Sequence, residues 1–214
     1  MNNRGQLYLF FPLTCAAAIA GLILHVTLPK GFEILYFNHH HNIFSDYIFI
    51  FFTRLAEMPL IALPVLLLLR FKGITAALEA VVALTITSII VQILKKAIFE
   101  EAIRPHLFFA YTQTLRLIND MPPLFRHSFP SGHTAGIFCL MTTLSLKASR
   151  KESAFIFFIF SVLTALSRIY LLQHFLIDVV AGSMLGMCIA MFTNYLFSNI
   201  KIIKKLERPA QEPA

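Results

Sequence analysis

Tryptophan is absent from this chain, acidic residues number only 11, and the three cysteines stand far apart within apolar runs. Each scarcity excludes something. Cys15, Cys139 and Cys188 have neither the pairing of a disulfide framework nor the spacing of a zinc site, so they read as packing residues. Charged residues make up 14% of the 214 positions, too few to clothe a soluble domain, while 57% are hydrophobic. With a mean hydropathy of +0.73, the chain fits a bilayer better than water.

Lys and Arg outnumber Asp and Glu by 18 to 11, giving a net charge of +7. In a soluble protein that excess would suggest nucleic acid as a partner. Here the basic residues fall between apolar segments or near the chain ends, and no aromatic-interleaved basic stripe exists, which argues against nucleic acid.

A helix needs about 20 apolar residues to cross the hydrocarbon core. About six candidate segments emerge, the fourth and fifth of them short or rich in Ser and Thr: Leu7 to Leu28, Phe44 to Leu69, Ile74 to Phe99, Ser131 to Leu146, Ala154 to Tyr170 and Phe175 to Phe197. The first is too long for a signal-peptide core and lacks a small-x-small cleavage site, so it is expected to be a retained helix. The fold expected is all-α, a polytopic bundle in one transmembrane domain over 1–206, with a disordered tail over 207–214.

Orientation follows from cations in short connections. Arg4, Arg70, Lys72, Lys147, Arg150, Lys151 and the cluster Lys201 to Arg208 share one side, which the rule assigns, with both termini, to the cytoplasm. The long stretch from Glu100 to Pro130 then faces outward.

Three blocks carry chemistry. In Pro130-Ser131-Gly132-His133 a loop gives way to an apolar run, so Ser131 is placed to cap a helix. The free N–H groups and dipole of that first turn attract an anion, and Gly132 lets a phosphate approach the backbone. An ordinary helix start with an incidental histidine reads the same way in isolation.

The second block begins at Ser167-Arg168 and runs through His174 to Asp178. Residues four apart share a helix face, so Asp178 can orient one ring nitrogen of His174 and leave the other free as a nucleophile. Arg168 offers a planar fork of donors to phosphate oxygens. Such charges at a bilayer edge are costly without a role.

The third block is Lys96-Ala97-Ile98-Phe99 followed by Arg104-Pro105. It places two cations on the same side as the other blocks, although a basic interfacial flank would look similar.

In this order the blocks resemble the type 2 phosphatidic acid phosphatase superfamily of membrane lipid phosphatases. That family's pattern is Lys-x6-Arg-Pro, Pro-Ser-Gly-His, then Ser-Arg-x5-His-x3-Asp. The second and third blocks match at every defined position, while Lys96 to Arg104 contains one residue too many. The Lys-x-x-Phe start favours Lys96 with the extra residue among Glu100 to Ile103, and Lys95 is the alternative. Asn42, Asp46 and Thr53 also look like bacterial members.

The resemblance implies a metal-independent, cofactor-free phosphatase acting on a phosphorylated membrane lipid through a phospho-histidine. His174 would be the nucleophile, Asp178 its stabiliser, and His133 the proton donor to the leaving oxygen. Lys96, Arg104, Arg168, Ser131 and Gly132 would hold the phosphate. The implied location is a bacterial inner membrane with the site facing the periplasm. Undecaprenyl diphosphate, phosphatidate, phosphatidylglycerol phosphate and lipid A all fit, and oligomeric state is left open. A phosphotransferase would use the same residues. A phosphate transporter would leave the His133, His174 and Asp178 set without a purpose.

Three other features invite simpler readings. His39-His40-His41 cannot share one face of a helix or strand, so a solvated loop is expected. Arg54 and Glu57, three apart, are expected to neutralise each other, with lining of a lipid path as an alternative. Glu79 is expected to pair with Lys72.

Overall fold

Gly73, with φ of 86°, turns the chain sharply between two apolar helices, and Asn42 and Ser131 cap two others through their side chains. These local signals divide the computed structural model, which describes residues 4–118 and 123–199, into helices. The elements are α1 (Arg4–Thr27), α2 (Phe32–His39), α3 (Ile43–Leu55), α4 (Met58–Lys72), α5 (Ile74–Ile93), α6 (Pro105–Phe109), α7 (Gly132–Lys147), α8 (Lys151–Tyr170) and α9 (Leu176–Asn199). A π-helical turn, Leu94–Ile98, extends α5. The expected tail at 207–214 lies outside the described residues.

Among the described residues, four helices are long and apolar enough to span a membrane: Leu9–Thr27, Ile74–Ile98, Lys151–Tyr170 and Leu176–Asn199. A fifth span forms if α3 and α4 are taken together, bent by 53° at a short break. The sequence reads this region as one segment, Phe44 to Leu69, in which Pro59 and Pro64 are expected to kink the helix. The structure instead stops α3 at Leu55 and restarts the helix at Met58, with Pro59 in the new first turn and Pro64 inside it.

The remaining expected span is α7. Its 16 residues reach about 24 Å, less than the ~30 Å hydrocarbon core. This helix is buried among its neighbours, packing on α9, α8 and α5. By contrast α1, α4 and α5 leave Val26, Leu66 and Ile89 more than half exposed, as lipid-facing surfaces do.

Small residues let α7 and α9 meet closely. A Cβ at Gly186 would lie 2.0 Å from the Ala135 carbonyl oxygen, and one at Gly182 would lie 2.6 Å from that of Ser131. Contact of this kind is how membrane helices gain packing energy where lipid removes the hydrophobic drive.

The far end of the bundle holds a buried ionic group. Glu79 accepts from Lys147 at 2.6 Å and from Asn194 at 2.8 Å, linking α5, α7 and α9. The expected Lys72 partner instead donates to Ser149 at 3.3 Å. Lys147 projects from the helix packed beside Glu79, so tertiary packing overrides sequence proximity. The Lys72–Ser149 contact also puts the α4–α5 and α7–α8 connections at one end, opposite the three motifs.

Candidate active site

Ser131 caps α7 by accepting from the Thr134 N–H, and Thr134 donates its hydroxyl to the same oxygen at 2.9 Å. Gly132 and His133 therefore occupy the first turn, where unpaired N–H groups gather. The Ser131 N–H donates to the Asp178 carbonyl oxygen at 2.9 Å, so the start of α7 is fastened to the start of α9.

The second block is folded back by a tight turn. α8 ends at Tyr170, Leu172 adopts a positive φ of 58°, and the Gln173 and His174 N–H groups both donate to the Arg168 carbonyl. His174 is thereby returned beside Arg168. Asp178, one turn into α9, gathers three donors on a single oxygen: Ser128 Oγ at 2.5 Å, the Phe175 N–H at 2.9 Å, and His174 Nδ1 in a longer contact of 3.4 Å. With Nδ1 turned toward the carboxylate, Nε2 faces the Arg104 guanidinium, 3.4 Å away.

Arg104 is fixed by backbone acceptors. Its Nε donates to the Arg126 carbonyl and Nη1 to the Gln173 carbonyl, each at 2.9 Å, while Nη2 donates to the His127 carbonyl at 3.3 Å. Lys95 donates to that same His127 carbonyl at 2.9 Å. Arg168 contacts the Thr53 hydroxyl through Nη1 and leaves its Nε unpaired. Three cations thus converge on His174 with no carboxylate bonded directly to any of them among the described residues.

His174, Asp178, Arg168, Ser131, Arg104 and Lys95 are all buried, whereas Gly132 and His133 are half-buried. Burial is the main cause that holds the His174 imidazole well below its ordinary pKa, with the Arg104, Lys95 and Arg168 cations adding to it. Burial likewise lowers Arg104, against the opposing field of Asp178. A neutral imidazole surrounded by fixed positive charge can attack an electrophilic phosphorus whose oxygens that charge neutralises.

Of the residues expected from sequence, His133, His174, Asp178, Arg104, Ser131, Gly132 and Arg168 come together. Lys96 does not. It is exposed, and Lys95 takes the inward position. The chain runs here as a π-helical turn, in which the Phe99 N–H reaches back five residues to the Leu94 carbonyl, and the Lys-x-x-Phe match that favours Lys96 does not select the lysine that this turn directs inward.

Ser128 and Gln173 are additions that the sequence reading misses. Both lie in connections whose roles emerge only from the fold. The three histidines at 39–41 behave locally: His40 Nδ1 contacts the Tyr36 carbonyl at 2.8 Å and His41 Nδ1 that of Asn38 at 2.5 Å. Asp46, one of the residues that resemble bacterial members of the family, is a structural anchor. It accepts from Arg116 at 2.6 and 3.1 Å and from Tyr170 at 2.5 Å, tying the segment after α6 to α3 and α8.

A multi-pass membrane bundle with a cationic, histidine-bearing site at one end is thus the class defined by fold and site together. The sequence model of the PAP2 superfamily matches residues 76–202, more than half of the chain, and the protein belongs to that superfamily. A PA-phosphatase related-family protein of Dictyostelium discoideum is 33% identical over 98 residues, covering 39% of this chain. That match spans 36% of the Dictyostelium protein, so the chain corresponds to about a third of its length.

Two solved structures share the fold. LpxE of Aquifex aeolicus superposes with a TM-score of 0.67 at 24% identity, covering 76% of this chain and 92% of that one. A transmembrane PAP2-type phosphatidylglycerolphosphate phosphatase of Bacillus subtilis gives 0.64 at 20% identity, covering 92% and 98%.

Proposed function

We propose that the protein is a membrane lipid phosphatase that cleaves a phosphate from a lipid headgroup through a phospho-histidine at His174. The observation that carries this reading is the placement of the His174 ring, with Nδ1 toward Asp178 and Nε2 toward Arg104 inside a ring of three cations. Family membership supports it, and so do the solved relatives, whose names specify a phosphatidylglycerolphosphate phosphatase in one case.

In the first step Nε2 attacks phosphorus and the bond to the lipid oxygen breaks. His133 gives its proton to that oxygen. Asp178 stabilises the charge that develops on the His174 ring. In the second step His133 takes a proton from water, the water oxygen bonds to phosphorus, and the N–P bond breaks to release phosphate. Lys95, Arg104 and Arg168, with the first-turn N–H groups of α7, hold the non-bridging oxygens throughout. Lys95 takes the role that the sequence assigns to Lys96. The distribution of cations in the connections supports a site facing away from the cytoplasm, which is the periplasm in the bacterial inner membrane that the resemblance implies.

The test is phosphate release by the purified full chain in detergent from undecaprenyl diphosphate, phosphatidate, phosphatidylglycerol phosphate and lipid A, with a metal chelator present. Turnover of at least one is expected. Failure to release phosphate from any of the four contradicts the reading.

A further inference from the structure

Among the described residues, two that are not glycine have a positive φ, and both border the site: Leu172 at 58° and His127 at 56°. Such a conformation is uncommon for residues with a side chain and is costly unless neighbouring contacts hold it. The turn at Leu172 returns His174 beside Arg168. His127 belongs to none of the three motifs, and the mechanism above gives it no part.

The segment around His127 serves the first motif through its carbonyls. The Phe125 carbonyl accepts from the Arg104 N–H at 2.8 Å, and the Arg126 carbonyl from Arg104 Nε at 2.9 Å. The His127 carbonyl accepts twice, from Lys95 Nζ at 2.9 Å and from Arg104 Nη2 at 3.3 Å. One residue later, the Ser128 N–H donates to the Ala102 carbonyl at 2.9 Å while its hydroxyl donates to Asp178. The positive φ at His127 thus stands between a carbonyl turned to the cations and a hydroxyl turned to the carboxylate that orients His174.

The His127 side chain adds a bond in the opposite direction. Its Nδ1 lies 3.2 Å from the Lys95 carbonyl, and because a carbonyl only accepts, that nitrogen carries the proton. Lys95 and His127 are therefore joined reciprocally, each side chain to the other's backbone. The Lys95 carbonyl lies in the last helical turn, where donors from the helix itself run out and an outside donor is suited to it.

The two cations depend on this residue unequally. Arg104 has further acceptors in the Arg126 and Gln173 carbonyls and in the Gln173 side-chain oxygen. Among the described residues, the Lys95 ammonium bonds to the His127 carbonyl alone. A compact ammonium on a long flexible stem is placed only as well as its acceptor is.

We propose that His127 is a positioning residue for the phosphatase reaction. Its Nδ1–H fixes the helical turn that carries Lys95, and its carbonyl aims the Lys95 ammonium at the phosphate oxygens. This rests on the phosphatase reading above and adds to that site a residue outside the motifs.

The experiment measures kcat/KM and melting temperature of the purified full chain in detergent, on whichever of the lipids named above is cleaved. The variants are His127→Gly and His127→Asn, each alone and combined with Lys95→Ala. Glycine keeps the positive φ and removes the imidazole. Asparagine tolerates the same conformation and offers an amide N–H where Nδ1 stands. His127→Gly should lower kcat/KM by about 3- to 10-fold, the range of one neutral hydrogen bond, and His127→Asn should stay within about 2-fold of wild type. In the Lys95→Ala background His127→Gly should cost less than about 2-fold, because the group it positions has gone.

A His127→Gly protein as active as wild type overturns the proposal, and so does an asparagine variant no better than glycine. Equal fold losses with and without Lys95, accompanied by equal drops in melting temperature, would mean a purely structural turn and overturn it too. Each of these results leaves the phosphatase reading standing. A wild-type protein that cleaves none of the lipids overturns that reading and this inference with it.

Discussion

The Ser131 N–H donates to the Asp178 carbonyl at 2.9 Å, and that bond joins the anion-binding start of α7 to the helix that orients His174. It holds because Gly182, one turn beyond Asp178, has no Cβ to strike the Ser131 carbonyl. Two motifs separated by over 30 residues are thereby locked into one site. Positioning of this kind supplies much of the catalysis in phosphoryl transfer.

Lys95 and Lys96 can be separated by single substitutions. Lys95→Ala should lower kcat/KM on any accepted lipid by about 10- to 100-fold, since a charge-assisted contact to phosphate contributes about 1.5–3 kcal/mol. Lys96→Ala, at an exposed position, should fall within about 2-fold, as surface changes do. Steady-state kinetics in detergent decide it, and the reverse order contradicts the placement.

Ser128 has a similarly specific role. Its hydroxyl makes the shortest contact to the Asp178 oxygen that faces His174. Ser128→Ala leaves that carboxylate held by Phe175 N–H and the longer His174 contact. We expect kcat to fall about 10-fold with KM little changed, the pattern of a lost transition-state interaction. A pure KM effect would mean that Ser128 acts on substrate binding instead.

Most of the fold and much of the site can be read before any coordinates exist. Apolar length reveals Leu9–Thr27 or Leu176–Asn199 because the bilayer imposes a minimum. His174 still meets Asp178 although it stands in the α8–α9 turn, before α9 begins at Leu176, because the Phe175 N–H also donates to the Asp178 carboxylate and fastens the turn to the helix start. What escapes are departures from regularity. The π-helical turn changes which lysine points inward, and the α3–α4 break divides an apparently continuous run. Glu79 finds Lys147 across the bundle, a contact between distant segments with no local signature. Ser128 is invisible for the same reason, being brought to Asp178 by a loop.

Titration gives another check. The folded His174 imidazole lies well below its ordinary value of 6.5 because it is buried. The unfolded chain therefore binds a proton near that pH that the folded protein does not, so stability is expected to fall as pH drops below about 6.5. His174→Asn removes this contribution, and should flatten the slope of stability against pH by up to about 1.4 kcal/mol per unit. Unfolding in detergent from about pH 5 to pH 8 measures it, and identical slopes in both proteins contradict the burial argument.

The most direct test of the central claim uses substrate labelled with radioactive phosphate in the scissile position, mixed rapidly with the protein and quenched in alkali. Acid-labile, alkali-stable label should appear on the protein and map to His174, and both label and turnover should vanish in His174→Asn. Undiminished phosphate release from His174→Asn, or label mapping to another residue, would contradict the account.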